Sequence, residues 1–242
     1  MLVLDELPVE VQAQVAACRA EVSALHAELP RWGLVVWTAG NVSARVRCAD
    51  QIGTDLMVIK PSGVTYDELS PQVMVVCDLT GTKIDDGTPD RLTPSSDTAA
   101  HAHVYEHMAE VGGVVHTHST YATAFAARRE EIPCVLTMMG DEFGGPVPVG
   151  PFALIGDDSI GRGIVETLRG HKSPAVLMAN HGPFTIGRTA KDAVKAAVMV
   201  EEVARTVQIA RAGATPECQV QPLEDDVVAR LYDRYQNVYG QH

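Results

Sequence analysis

Two histidines separated by a single residue, His116 and His118, follow an apolar run in this sequence. In a β-strand, residues two apart project from the same face, so these two imidazoles would lie side by side with Cα atoms roughly 6.5–7 Å apart. His181 follows another apolar run, and Asp97 precedes the histidine pair. Three imidazoles and a carboxylate form a ligand set that suits a catalytic divalent ion. The spacing therefore predicts a metal centre.

Each of these candidate ligands also has an explanation that needs no metal. Paired histidines can pack in a core, and a histidine at a strand–turn junction is often a hydrogen-bonded structural group. Asp97 lies where a helix is expected to begin, and aspartate is a common N-cap. The neighbouring Ser95 and Ser96 favour a functional site, because hydroxyls and N–H groups at a helix N-terminus attract an anion such as phosphate, although capping explains them too.

The other histidines of this region are expected to lie on a helix. His103 and His107 share a helix face and could chelate a metal, but without an evident third ligand a solvated helix face is the favoured interpretation. His101 falls one turn after Asp97, where it could support a ligand.

Composition limits the function classes. The chain has 242 residues, of which 46% are hydrophobic, and a formal net charge of -12, which argues against nucleic-acid binding. We expect no membrane span, because no apolar run approaches about 18 residues, and no signal peptide, because the N-terminus lacks a basic region. Five scattered cysteines indicate reduced thiols in a cytoplasmic protein; a thiol nucleophile is a disfavoured alternative.

Hydrophobic periodicity and turn residues predict the elements that must position these groups. We expect one three-layer α/β domain over residues 1–242, with no linker that would divide it. The predicted helices cover 8–29, 65–68, 97–111, 120–129, 159–169, 189–211 and 223–235. The predicted strands cover 33–37, 42–46, 57–59, 73–79, 113–118, 133–137, 175–179 and 184–186, and a Gly/Pro-rich loop covers 140–151.

Several motifs, in this order along the chain, together resemble one family. They are Gly40-Asn41-Val42-Ser43, Lys60-Pro61-Ser62-Gly63, Pro94-Ser95-Ser96-Asp97, His116-Thr117-His118-Ser119, His181-Gly182-Pro183-Phe184 and Tyr239-Gly240-Gln241. The series resembles the L-ribulose-5-phosphate 4-epimerases of the class II aldolase and adducin-head family. The resemblance implies that family's α/β/α fold, with a central mixed, largely antiparallel sheet.

The resemblance also assigns residues and partners. It implies that a divalent ion is held by Asp97, His116, His118 and His181. The implied ion is zinc, with manganese or cobalt as alternatives. Gly40, Asn41, Lys60, Ser62, Gly63, Ser95 and Ser96 become contacts to the substrate and its phosphate. Asp141 and Tyr239 become the acid/base pair, with Tyr239 reaching into the site of a neighbouring subunit of a homotetramer.

The implied reaction interconverts L-ribulose 5-phosphate and D-xylulose 5-phosphate in arabinose catabolism. Because C4 carries no acidic proton, the expected route is retro-aldol cleavage of the C3–C4 bond and re-addition through a metal-bound enediolate. Two proton-transfer groups, one for each orientation of the C4 hydroxyl, are then required. Glu142 competes with Asp141 for one of these roles.

The sequence departs from the epimerase pattern at two positions, and three other functions are alternatives to an epimerase. Met139 and Val228 stand where epimerases often have histidines, which leaves the identity of the sugar open. A fuculose-phosphate-type aldolase is the nearest alternative, although such aldolases usually have Glu where Asp97 stands. A non-catalytic scaffold like the adducin heads and an unrelated metallohydrolase are the others.

Overall fold

The computed structural model describes residues 2–239, and of Tyr239 only the backbone. Seven strands form one sheet. They are β1 (Asn41–Val46), β2 (Leu56–Ile59), β3 (Val75–Asp78), β4 (Gly113–His116), β5 (Val149–Gly150), β6 (Ala175–Met178) and β7 (Gly182–Gly187). The order is β3-β2-β1-β4-β7-β6-β5, and every pair is antiparallel except β5 with β6. The predicted mixed, largely antiparallel sheet is confirmed.

Helices surround this sheet. They are α1 (Val9–His26), α2 (Glu28–Arg31), α3 (Ala49–Ile52), α4 (Thr98–His107), α5 (Thr120–Arg128), α6 (Thr137–Phe143), α7 (Ser159–Leu168), α8 (Ala190–Ala212) and α9 (Asp225–Arg234). Short 3-10 helices cover Leu4–Glu6, Tyr66–Glu68 and Pro71–Val73, and a π-helical turn covers Tyr235–Tyr239. Capping boxes at Thr65 and Thr189 begin the 3-10 helix Tyr66–Glu68 and α8. No helix in the described range is both long and apolar enough to cross a bilayer.

The sheet is buried on both faces. Because side chains alternate along a strand, Val58 and Val115 pack with α1 and α8, whereas Met57 and Val114 pack with α4 and α7 on the opposite face. A third cluster joins α5, α6, α8 and α9 over β6. This arrangement explains why β2 and β6 are continuously apolar, and it confirms the predicted three layers.

Two predicted strands are absent from the described residues. Residues 33–37 form turns and extended chain, in which Trp37 has a φ of 58°, a left-handed conformation that interrupts a strand. Residues 133–136 are also irregular, and Thr137 begins α6. Pro133 has no N–H to donate, and the neighbouring Ile132 makes only an isolated bridge to Val147.

The prediction of a loop over residues 140–151 was wrong, because its first part is α6 and its last part contains β5. The glycines there act through packing. A Cβ at Gly140 would lie 2.7 Å from Cδ1 of Leu231, so glycine permits α6 to approach α9 closely. Gly144, with a φ of 61°, ends the helix in the left-handed conformation.

Candidate metal centre

His116 is the last residue of β4, at one end of the central strands. It pairs with Asn41 of β1 on one side and with Phe184 of β7 on the other. Its ring is fully buried and stacks on the ring of Phe184, with centroids 4.1 Å apart and planes at 16°. The side chain therefore has a fixed direction, towards the sheet face covered by α4.

His118 and His181 approach His116 from two loops. The strand ends before His118, contrary to the prediction for 113–118, and a backbone hydrogen bond from His118 N–H to the carbonyl of Leu34 holds it instead. His181 belongs to the tight connection between β6 and β7, where Asn180 adopts a φ of 58°. The Nε2 atoms of His116 and His118 lie 2.9 Å apart, and ligand atoms of all three histidines lie within 4.8 Å of one another.

Burial favours the neutral form of the three imidazoles, which is the form that binds a metal. Burial, followed by the neighbouring His181 and His118, lowers the pKa of His116 well below its ordinary value. Burial also lowers the pKa of His118 and of His181, against an opposing effect of Asp97 on both. Nδ1 of His116 lies 3.1 Å from the carbonyl oxygen of Pro183, which can only accept, so the ring proton is on Nδ1 and the lone pair is on Nε2.

Asp97 faces the histidines from the start of α4. It occupies the N-cap position, but its side chain makes no capping hydrogen bond, so the structural explanation for this residue fails. Oδ2 accepts a hydrogen bond of 2.7 Å from Nδ2 of Asn41, while the buried Oδ1 has no partner among the described residues. Asn41, predicted as a substrate contact, thus orients the candidate carboxylate ligand.

Unpartnered buried atoms concentrate around this centre. Within the described part of the chain, Oδ1 of Asp97, Oδ1 of Asn41, Nε2 of His101 and both ring nitrogens of His181 are buried without a hydrogen-bond partner. Leaving such an atom unpaired costs about 1–3 kcal/mol, so native structures rarely tolerate a group of them. An ion coordinated by Asp97, His116, His118 and His181 would satisfy two of them, Oδ1 of Asp97 and one ring nitrogen of His181. The donor set therefore fits the divalent metal that the sequence predicts.

The two predicted phosphate-binding segments lie side by side next to Asp97. Ser62 N–H bonds to the carbonyl of Thr93, and Ser95 N–H bonds to the carbonyl of Lys60. Ser62, Gly63 and Ser96 are exposed there. The hydroxyl of Ser95 accepts hydrogen bonds from Asn41 Nδ2 and from Asp97 N–H at 3.0 and 3.3 Å.

Lys60 supplies the positive charge of this surface. Its buried Nζ donates to the carbonyls of Thr38 and Pro61 at 3.2 and 3.3 Å. Burial lowers the pKa of Lys60 to about 8. The ammonium is therefore charged at neutral pH, and it loses its charge at a lower pH than an ordinary lysine does.

Gly40 has a local structural role beside the metal centre. Its φ is 78°, and a Cβ there would lie 2.6 Å from Cγ1 of Val35 and 3.0 Å from the carbonyl oxygen of His116. Glycine is needed at this position whether or not a substrate contacts it.

His101 and Phe184 complete the surroundings of the ligands. Nδ1 of His101 lies 2.8 Å from the hydroxyl of Ser43, and the ring meets Phe184 edge-on. Burial lowers the pKa of His101 to about 3. The sequence suggested the supporting position of His101, but the role of Phe184 as a platform for His116 was missed, because it depends on the register of β4 with β7.

Asp141 and Tyr239 lie on neighbouring elements, and no hydrogen bond, ion pair or ring contact joins Asp141 to the four candidate ligands in the described structure. Asp141 is on α6, which packs against α9 and the π-helical turn. The side chain of Tyr239, with Gly240 and Gln241, lies outside the described residues. Glu142 is buried and forms an ion pair of 3.0 Å with Lys195, which disfavours it as the acid/base group.

Met139 and Val228 share one apolar cluster, in which Met139 is fully buried and Val228 is 8% exposed. The two departures from the epimerase pattern therefore occur together in the packing between α6 and α9.

Comparison of the sequence with known families places the chain in one of them. Residues 20–208 match the Class II Aldolase and Adducin N-terminal domain family, and the chain belongs to it. The enzymes of the class II aldolase family depend on a divalent metal, and the histidine cluster described above could bind one.

Within this family, the chain is similar to curated proteins that are named epimerases. The L-ribulose-5-phosphate 4-epimerase UlaF of Salmonella paratyphi B is 40% identical over 229 residues, which cover 89% of this chain and 93% of the relative. The protein of the same name from Salmonella typhi is also 40% identical over the same shares. The resemblance inferred from the motifs is confirmed: this chain has epimerases among its relatives.

Solved structures agree on the fold. An L-fuculose 1-phosphate aldolase is 25% identical and superimposes with a TM-score of 0.79, covering 91% of this chain and 96% of the aldolase. YgbL of Klebsiella pneumoniae is 26% identical with a TM-score of 0.74, covering 90% of this chain and 98% of YgbL. The predicted class II aldolase fold is confirmed.

Proposed function

We propose that the protein is a metal-dependent epimerase that interconverts L-ribulose 5-phosphate and D-xylulose 5-phosphate. The observation that carries this proposal is the convergence of three imidazoles beside the paired Lys60 and Ser95 segments. The buried Oδ1 of Asp97, at the start of α4, has no partner among the described residues and is the proposed fourth donor. The names of the relatives at 40% identity support this substrate pair.

The ligand residues would hold the ion and fix its position. Asp97, His116, His118 and His181 are the proposed ligands, and Asn41 holds the carboxylate of Asp97 in place through its 2.7 Å hydrogen bond. When bound, a divalent ion, zinc or else manganese or cobalt, supplies Lewis-acid stabilisation of negative charge on the substrate oxygens.

The phosphate would be held by Lys60 and the adjacent loops. We assign the contacts to Lys60, Ser62, Gly63, Ser95 and Ser96, whose two segments are joined by backbone hydrogen bonds. Gly40 and Asn41 line the side next to His116. Holding the phosphate keeps the cleaved aldehyde fragment in the site while the fragment rotates to present its other face. Re-addition can then occur before the fragment escapes.

Asp141 and Tyr239 would transfer the proton of the C4 hydroxyl. As the C3–C4 bond breaks, one group removes the hydroxyl proton, leaving glycolaldehyde phosphate and the enediolate of dihydroxyacetone. The aldehyde then re-adds through its other face, and the second group returns a proton to the C4 oxygen. Because the two hydroxyl orientations lie on opposite sides, a single group could not serve both.

We further propose that the chain acts as one domain over residues 1–242 in a cytoplasmic homotetramer whose active sites lie between subunits. Exposed apolar side chains near the metal centre, Val36 at 72% and Trp37 at 79% exposure, support burial by another copy. All five cysteines are free thiols, which is consistent with a reducing compartment.

Incubation of the purified, zinc-loaded protein with L-ribulose 5-phosphate tests the proposed reaction. We expect D-xylulose 5-phosphate to accumulate to equilibrium, and a chelator to abolish the reaction. Release of dihydroxyacetone and glycolaldehyde phosphate without xylulose 5-phosphate would instead identify an aldolase, the activity named for the structural neighbour at 25% identity. Absence of turnover would contradict the proposed substrate.

A further inference from the structure

A second histidine group lies at the opposite end of α4 from Asp97. His103 and His107 are one helical turn apart, and their rings stack with centroids 3.9 Å apart and planes at 18°. Glu106 lies beside them, and ligand atoms of the three residues lie within 4.8 Å of one another. The sequence around them, His-Val-Tyr-Glu-His, has the His-x-x-Glu-His spacing by which some helices hold zinc.

Both imidazoles are oriented by groups that engage Nδ1. Nδ1 of His107 lies 2.9 Å from the carbonyl oxygen of His103, which can only accept a hydrogen bond. Nδ1 of His103 lies 3.5 Å from Oδ2 of Asp158. Both partners favour a proton on Nδ1 and leave the lone pair on Nε2, which is the arrangement usual for metal-binding histidines.

The carboxylates of Glu106 and Asp158, which both lie beside the histidines, differ in whether they are free to bind a metal. Asp158 is occupied by Arg162, with Oδ1 2.9 Å from the guanidinium, and therefore orients His103 without being free to coordinate. Glu106 is 64% exposed, and its Oε2 lies 3.9 Å from Nδ1 of His107. Glu106 is thus the carboxylate that remains available as a third ligand.

We propose that His103, Glu106 and His107 form a second metal site, for a zinc-class transition ion such as Zn²⁺, Ni²⁺ or Cu²⁺. Two imidazoles and a carboxylate suit these ions, and their preference for nitrogen distinguishes the site from one for Mg²⁺ or Ca²⁺. Because His107 is 43% exposed, water fills the remaining coordination positions. The site uses none of the residues assigned to the epimerase reaction.

An ion bound there would hold together three side chains of the last turns of α4, where this helix meets α7. Asp158, which orients His103, directly precedes α7, and a Cβ on Gly161 of α7 would lie only 2.7 Å from Cβ of His103. The two helices therefore touch at this point. We expect the ion to stabilise the helix that carries Asp97 at its other end.

Equilibrium dialysis against Zn²⁺ tests the proposal, starting from a His116→Ala/His118→Ala protein that lacks the first centre. That protein is expected to bind one zinc ion per chain and to melt at a higher temperature when zinc is added. Adding His107→Ala should weaken the remaining binding at least about tenfold, since even groups that only orient a ligand are worth that much. His171→Ala, which alters an exposed histidine outside both clusters, should change neither result.

Two outcomes would overturn the second site: no zinc bound by the His116→Ala/His118→Ala protein, or binding that His107→Ala leaves unchanged. If the double variant fails to fold, the comparison moves to the otherwise wild-type chain. There His107→Ala should reduce zinc from two ions to one, and two ions in both proteins would refute the site. Neither readout depends on epimerase activity, so failure of the proposed reaction would be seen separately.

Discussion

The four candidate metal ligands surround one end of β4, whereas the two candidate proton-transfer residues belong to α6 and the last turn of the chain. Sheet register and buried hydrogen bonds fix the first group: His116 stacks on Phe184, and Asn41 holds Asp97. The second group lies on elements that pack mainly against α9, with Asp141 on α6 and Tyr239 at the end of the π-helical turn. One chain thus assembles the metal-binding half, and we infer that a second copy completes the other half.

Of the changes that test this division of the site, removal of a metal ligand should cause the largest loss of activity. His116→Ala is expected to lower kcat/KM at least about 10⁴-fold, because several kcal/mol of charge stabilisation are lost with the ion and each 1.4 kcal/mol is worth tenfold. Metal analysis of the purified variant should show the ion missing from this centre. Full activity in a variant lacking this ion would break the assignment, and His171→Ala serves as the matched control.

Removing a proton-transfer group should leave the metal half intact. Asp141→Asn is expected to lower kcat by about 10³-fold, within the range contributed by general acid–base catalysis, with unchanged metal content. The neighbouring Glu142→Gln is the matched control. It breaks the ion pair with Lys195, so it should lower the melting temperature while leaving kcat close to that of the wild type. Equal loss of kcat in both variants would argue against a specific role for Asp141.

Removing the residue that positions a ligand should give an intermediate effect. Asn41→Ala leaves Oδ2 of Asp97 without its 2.7 Å hydrogen bond. Metal affinity is expected to fall about 10–100-fold, as measured by competition with a chelator, while activity returns when metal is in excess. Unchanged affinity would show that Asp97 does not depend on Asn41.

The smallest predicted effect is a pH dependence in the phosphate contacts. Since burial lowers the pKa of Lys60 to about 8, its charge is present below pH 8 and lost above it. KM for the sugar phosphate should therefore rise about tenfold between pH 7 and pH 9, since a charge-assisted hydrogen bond contributes about 1.5–3 kcal/mol. A Lys60→Met variant should have a high KM throughout, and a parallel rise in this variant would assign the titration to another group.

Local patterns singled out histidines that the fold does bring together, but they misplaced the elements that carry them. The His-x-His spacing drew attention to His116 and His118, yet β4 ends at His116, and the carbonyl of Leu34, in a segment wrongly predicted to be a strand, holds His118. Asp97 at a helix start was ambiguous in the sequence. Only the position of Asn41 in the neighbouring strand shows that its side chain turns to the ligands instead of capping α4.

The helix that carries Asp141 could not be predicted, because the reason for a glycine at position 140 lies in a contact with a residue distant along the chain. Gly140, Gly144 and Gly145 resemble loop residues in sequence, but Gly140 makes room for Leu231, which is distant along the chain. Whether Met139 and Val228 pack together likewise depends on the docking of α6 against α9. The catalytic assignment of Asp141 and Tyr239 came from the resemblance alone, and it stays a prediction.

Subunit mixing tests most directly whether two copies complete one site. His116→Ala and Tyr239→Phe proteins, each inactive or nearly so alone, are dissociated, mixed in equal amounts, reassociated and assayed for formation of D-xylulose 5-phosphate. If Tyr239 acts in the site of a neighbour, random assembly makes about a quarter of the sites intact, and activity should recover towards that fraction of wild type. No recovery, in a mixture shown by mass analysis to contain hybrid oligomers, would place both halves in the same chain and contradict the divided site.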